Sequence, residues 1–179
     1  MTNSTDEMIM NRVKAGNLAE LSELFERYNV RIYNFMLKLT FDRSLSQDLT
    51  QNLFYRIIKY RHTFKDEFTF KSWIYQLARN IHADHCKKNK KYTEQYTQVE
   101  EYDENIIDQN AAFSEDEFAR LDQALSRLKP EQKEIIVLSR FQGLKYSEIS
   151  VIQNQSVPAI KVQVHRAIKQ LRYFYFKLI

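Results

Sequence analysis

Residues 18–40 read LAELSELFERYNVRIYNFMLKLT, and the spacing of their apolar positions decides the fold class. Leu21, Leu24, Phe25, Tyr28, Ile32, Phe35 and Leu39 recur every three or four residues, which lays them along one stripe of a helix. The rhythm returns over residues 44–60 with Leu45, Leu49, Leu53, Ile57 and Ile58, where Ser44 or Ser46 is expected as the N-cap. Thr69 is expected to cap a third helix whose buried stripe is Phe70, Trp73, Ile74, Leu77 and Ile81. Its far end turns basic at Lys87, Lys88, Lys90 and Lys91, which suits the negative end of the helix dipole.

The composition agrees. The chain has 179 residues, 44 % apolar and 28 % charged, with 12 Phe, 11 Tyr and one Trp, enough to build buried cores and too apolar for disorder throughout. Two glycines and two prolines are too few for the closely spaced turns of an all-β protein. Gly16 and Gly143 cannot build a phosphate loop or a dinucleotide fingerprint. An all-α protein is expected. Cys86 stands alone and cannot form an internal disulfide, which fits a reducing compartment. No run reaches signal-peptide or membrane-span length, so a soluble cytoplasmic protein without membrane insertion is expected.

The net charge of +4 hides a segregation. Residues 1–92 hold 16 Lys/Arg against 10 Asp/Glu, residues 93–118 hold none against nine, and residues 119–179 hold 11 against four. The acidic stretch, TEQYTQVEEYDENIIDQNAAFSEDEF, reads as a flexible linker between two helical domains, or else as a solvated loop of one. The basic blocks suit a polyanion, although basic faces are common on other soluble proteins.

After the linker, Ser114 with Glu117 spells a capping box, Pro130 fits a helix first turn, and Gly143 a helix end. Helices over about 146–153 and 157–173 then follow with a tight turn between them, a helix-turn-helix pattern. On the second, Ile160, Val164, Ala167, Ile168 and Leu171 share one stripe. Gln155, Pro158, Ala159, Val162, Arg166 and Lys169 point away from it. Arg166 and Lys169 suit phosphate or guanine, and Ala159 and Val162 suit thymine methyls. An ordinary amphipathic helix with a solvated face remains open on this pattern alone.

Catalytic chemistry finds little support. His82, Asp84, His85 and Cys86 resemble a fragment of a metal site, but no second ligand pair follows at suitable spacing. No Gly-x-Ser-x-Gly turn is present. Neither enzyme activity nor a cofactor is expected.

The stretch SLSQDLTQNLFYRI (44–57) resembles the core-polymerase-binding part of region 2 of bacterial sigma factors, D-L-x-Q-x-x-F, with Asp48, Leu49, Gln51 and Phe54 in place. FKSWIYQLARN (70–80) is similar to the F-x-x-W-L-x-x-I-A-x-N run further along that region. LDQALSRLKPEQKEIIVLSRFQGLKYSEIS…VPAIKVQVHRAIKQL is similar to sigma region 4. Region 2 (residues 1–92), linker (93–118) and region 4 (119–179), with nothing between, is the order of the extracytoplasmic-function sigma factors. Departures are Ser46-Gln47 before Asp48, where an acidic residue is frequent, and Asn52 for the acidic residue after Gln51. Pro158-Ala159 stands for a frequent Gly-Thr, and Lys161-Val162-Gln163 for Arg-Ser-Arg.

The resemblance implies a non-catalytic subunit that binds core RNA polymerase, recognises promoter DNA and melts it, with an anti-sigma factor as a further partner. Core contacts would fall on Asp48, Gln51, Asn52, Phe54, Tyr55 and Arg56. The downstream (−10) element would meet the loop residues Arg61, His62, Thr63, Phe64 and Lys65, with Lys71, Arg79, Asn80, Lys87 and Lys88. The upstream element would meet Ser156, Pro158, Ala159, Lys161, Val162, Gln163, Arg166 and Lys169. Trp73, inside the apolar stripe, is expected in the core rather than as a stacking platform. Elements about 17 base pairs apart lie roughly 58 Å apart at ~3.4 Å per pair. The linker, fully extended, reaches at most about 90 Å. A stand-alone helix-turn-helix regulator, with the first block as sensor or dimerisation domain, is the rival reading.

Overall fold

A computed structural model describes residues 4–93 and 115–178, and within them every regular element is helical. The chain forms two compact units, Met1–Glu100 and Glu101–Ile179. Most of the acidic stretch (94–114), with Ser114, lies outside the described residues. Its last four residues, 115–118, already belong to a helix.

The first unit holds α1 (Asp6–Lys14), α2 (Leu21–Thr40), α3 (Arg43–Tyr60) and α4 (Phe70–Thr93), with short 3-10 turns at Leu18–Glu20 and Arg61–Thr63. Helix α1 is not among the elements expected from the sequence. Its causes are local: Thr5 accepts from the Met8 N–H, Asp6 and Glu7 occupy the first turn, and Arg12 and Lys14 the last. Ile9, Met10 and Val13 are fully buried beneath it. They join Leu24, Ile32, Phe35 and Met36 of α2, Leu53 and Ile57 of α3, and Ile74, Tyr75 and Ala78 of α4. Each large aliphatic so buried contributes about 1.5–3 kcal/mol relative to exposure.

Three expectations are corrected here. The N-cap of α3 is Asp42, whose carboxylate accepts from the Leu45 N–H at 2.9 Å. Ser44 is exposed in the first turn, and Ser46 is buried with its hydroxyl donating to the Asp42 carbonyl. Phe25 is 46 % exposed instead of joining the α2 stripe. On α4 the buried arc is Phe70, Ile74, Tyr75, Ala78 and Ile81, turned about 55° from the expected one. The turn follows from packing against α1, α2 and α3 together, which leaves Trp73 and Leu77 half-buried at the rim.

The second unit holds α5 (Glu115–Ser126), α6 (Pro130–Ile136) running into a π-helical turn (Val137–Phe141), α7 (Tyr146–Gln153) and α8 (Val157–Phe176). Pro130 sits in the first turn of α6. Gly143 (φ 63°) follows the π turn, and the Leu144 N–H returns to the Leu138 carbonyl. Glu148 accepts from the Lys145 backbone N–H at 2.7 Å and so caps α7. Helix α8 packs on α5, α6 and α7, burying Ile160, Val164 and Ala167 and half-burying Ile168 and Leu171. Two of the four left-handed corners among the described residues fall on Phe41 (φ 57°) and Asn154 (φ 52°). No described helix is long and apolar enough to cross a membrane.

Candidate nucleic-acid interface

The end of α3, the loop over residues 61–69 and one face of α4 enclose a groove of about 630 Å³. That volume lies in the ~300–1,000 Å³ range of pockets that take small organic groups. From α4 come Trp73, Gln76, Leu77, Asn80, Ala83, Asp84 and Lys87, at the three- and four-residue spacing of a single helical face. Arg56 and Tyr60 close it from α3, and Thr63, Lys65 and Phe68 from the loop. Three aromatic rings, two side-chain amides, two hydroxyls (one the Tyr60 phenol), three cations and one carboxylate thus share one cleft. Stacking faces, donors and acceptors for base edges, and positive charge for phosphate are what an unpaired nucleotide needs.

Thr63, Lys65, Asn80 and Lys87 therefore stand together in the groove. Other expected members do not. Phe64 is fully buried, its ring edge-on to Phe70 and Trp73 at 6.2 and 5.6 Å, so it anchors the loop from below. The Arg61 guanidinium turns back to the Ile58 carbonyl at 2.7 Å. His62 and Lys88 are exposed outside the groove, and Lys71 and Arg79 sit half-buried on other faces of α4. Lys90 and Lys91 lie in α4 without described side chains. Tyr60, Phe68, Trp73, Gln76, Leu77, Ala83 and Asp84 also line it, a role the sequence did not assign them; counting three and four residues on from Trp73 identifies the α4 members. His82 lies beside Cys86 (Nε2 to Sγ 3.6 Å), and His85 beside Asn89.

Along α3, Asp48, Gln51, Asn52 and Tyr55 are exposed at i, i+3, i+4 and i+7, one continuous outer ridge. Phe54 and Arg56 leave that set. Phe54 is buried, its ring 4.7 Å from Phe25, and Arg56 faces α4, where Nη1 donates to Asp84 Oδ2 at 3.2 Å.

In the second unit the Ser156 hydroxyl caps α8 by accepting from the Ala159 N–H at 3.3 Å. Pro158, Lys161, Val162, Arg166 and Lys169 are exposed, and Val162 is 49 % so, an unusual use of valine on a polar face. Ala159 and Gln163 are half-buried, and the Gln163 amide donates to Gln155 across the helix entry. Gln153 of α7 donates to Glu134 of α6 at 2.8 Å, tying the first helix of the motif to its support.

Residues 24–92 match the family model for Sigma-70 region 2, and residues 118–171 that for Sigma-70, region 4. The ECF RNA polymerase sigma factor SigM of Bacillus subtilis is 30 % identical over 161 residues, covering 87 % of this chain and 94 % of SigM. The chain is an ECF sigma factor. BldN of Streptomyces coelicolor, another ECF sigma factor, is 28 % identical over 167 residues, 91 % of this sigma factor but 63 % of BldN's length. Two solved structures share the fold. The sigma factor RpoE of Bartonella quintana, in complex with the anti-sigma factor NepR, has a TM-score of 0.76 at 19 % identity, covering 87 % of this chain and 96 % of that one. CnrH in complex with the cytosolic domain of CnrY has 0.72 at 18 % identity, covering 95 % and 96 %. The groove and the α3 ridge of this sigma factor fall inside the region 2 match, α7 and most of α8 inside the region 4 match, and α1 outside both.

Proposed function

We propose that this sigma factor docks on core RNA polymerase through the α3 ridge, captures an unpaired promoter base in the groove, and reads an upstream duplex element with α8. Residues 1–92 would then serve polymerase binding and melting, 93–118 the span between promoter elements, and 119–179 upstream recognition. The observation that carries this is the convergence of Tyr60, Phe68 and Trp73 with Gln76, Asn80, Lys65 and Lys87 in one cleft. In a stacked duplex the base faces are covered by their neighbours, so such a lining is best used once strands part. On α8, exposed Arg166 and Lys169 suit phosphate or guanine, and Val162 a thymine methyl. RpoE is solved in complex with the anti-sigma factor NepR, and this chain would likewise take an anti-sigma partner. The reading places it among initiation factors, which lend polymerase specificity and catalyse nothing themselves.

The test is transcription by core polymerase on a genomic library, with and without the protein. New start sites sharing two spaced upstream elements are expected. Tight binding of the protein alone to duplex DNA, with polymerase output unchanged, would instead favour the stand-alone regulator.

A further inference from the structure

Helix α1 makes no part of the groove, yet two of its side chains hold the loop that forms one wall. Lys14 Nζ donates to the Phe64 carbonyl at 2.8 Å, and Glu7 Oε1 accepts from the Phe70 backbone N–H at 2.9 Å, partners 50 and 63 residues away. Phe70 opens α4, where an N–H has no acceptor in the preceding helical turn. Between the two attachment points run residues 65–69, all exposed, among them the groove-lining Lys65 and Phe68. Glu7 and Lys14 are seven residues apart, two turns, so one face of α1 grips both ends.

The helix is itself braced from its other faces. Asp6 accepts from Arg27 and from the Tyr28 hydroxyl, each at 2.5 Å, and Arg12 pairs with Glu20 at 3.0 Å. At Phe64 the loop is fixed twice, by the buried ring below and by the Lys14 bond to its carbonyl. Such hydrogen bonds to an ionised group are the stronger kind.

We infer that Glu7 and Lys14 are positioning residues for base capture: they fix both ends of the loop so that Lys65 and Phe68 face Trp73 and Asn80 across the groove. The inference rests on the groove being the base-capturing site. A loop released at either end keeps its residues but not their placement, and contacts to base edges suffer more from misplacement than phosphate contacts do.

Holoenzyme formed with each variant would be titrated with single-stranded oligonucleotides of the downstream element from the mapped start sites, each carrying one of the four bases at the captured position. Lys14→Met and Glu7→Met should each shrink the ratio of best to worst base at least fivefold, with core-polymerase affinity and upstream duplex binding unchanged. Lys14→Arg and Glu7→Gln, which retain a donor and an acceptor, should stay within twofold of wild type. Asn80→Ala, inside the groove, serves as the control that flattens the ratio by itself. Wild-type ratios in both Met variants alongside a flattened Asn80→Ala would overturn the positioning role and leave the groove reading standing. A ratio unmoved by Asn80→Ala would remove the groove reading and this inference with it. Parallel loss of core-polymerase affinity and of thermal stability in the Met variants would make the two residues merely structural, and also overturn it.

Discussion

Arg56 of α3 and Asp84 of α4 meet across the groove at 3.2 Å, and Asp84 supplies the one carboxylate of the described lining. With side chains 26 % and 50 % exposed, the pair adds little to stability, about 0–1 kcal/mol. Its effect is on charge, since it sets a negative group beside Lys87 where a phosphate backbone would pass. Asp84→Asn is therefore expected to tighten holoenzyme binding to the single-stranded downstream element twofold to tenfold and to steepen its salt dependence. Anisotropy titrations between about 50 and 200 mM salt, the range over which counterion release is large, check this. A weaker complex would mean that Asp84 accepts a hydrogen bond from a base instead.

Arg166 and Val162 on the exposed side of α8 should fail in different ways. Arg166→Ala is expected to weaken all duplexes about equally if it holds phosphate, lowering the salt slope by about 1. Val162→Ala should leave the slope alone and reduce preference at a single base pair by about 1 kcal/mol or more. A binding screen on randomised upstream elements separates the two outcomes.

Burial, and then the hydrogen bond it donates to Asp6, push the Tyr28 phenol above the usual tyrosine range. The folded state keeps a proton that the unfolded chain releases near pH 10, so this contribution is present below pH ~10 and is lost as pH rises beyond it. Stability of the first unit should fall above that pH by up to about 1.4 kcal/mol per pH unit more steeply in wild type than in Tyr28→Phe. Urea unfolding at pH 8 and about pH 10.5 checks it, and parallel behaviour of the two proteins would contradict it.

Each unit has its own core, so damage should stay local. Ile57→Ala and Ile149→Ala remove fully buried side chains from different units, and each is expected to cost about 2–5 kcal/mol. Calorimetry should show one transition lowered in each case and the other unmoved. A single transition shifted by both would count against this.

What the sequence revealed depended on how local the cause was. Helices α7 and α8 announce themselves through Ser156, Pro158 and a regular stripe, and their bounds agree to within three residues. Helix α1 carries the same signs in nine residues, too few for a repeat to stand out. Trp73 and Leu77 belong to the α4 stripe by spacing, yet three neighbouring helices draw the buried arc toward Tyr75 and Ala78. In the site, Asn80, Thr63, Lys65 and Lys87 were named in advance. The burial of Phe64 and the turn of Arg56 toward Asp84 were not, because the first follows from tertiary packing of an aperiodic loop and the second from a partner 28 residues away.

The π-helical turn at Val137–Phe141 has a consequence for the length of the chain. Its hydrogen bonds close over five residues where an α-helix closes over four, as in the Gln142 N–H to Val137 carbonyl bond, so the turn already holds one residue more than a regular helix would. Removing one residue there would restore ordinary winding and leave Ile135 and Ile136 in the core, with Gly143 taking up the changed exit angle. The same deletion within α8 would rotate every later side chain by about 100° and carry Val164 and Ala167 out of the interior. Among natural variants of this domain, single-residue gains and losses should therefore gather at Val137–Phe141 and spare α8.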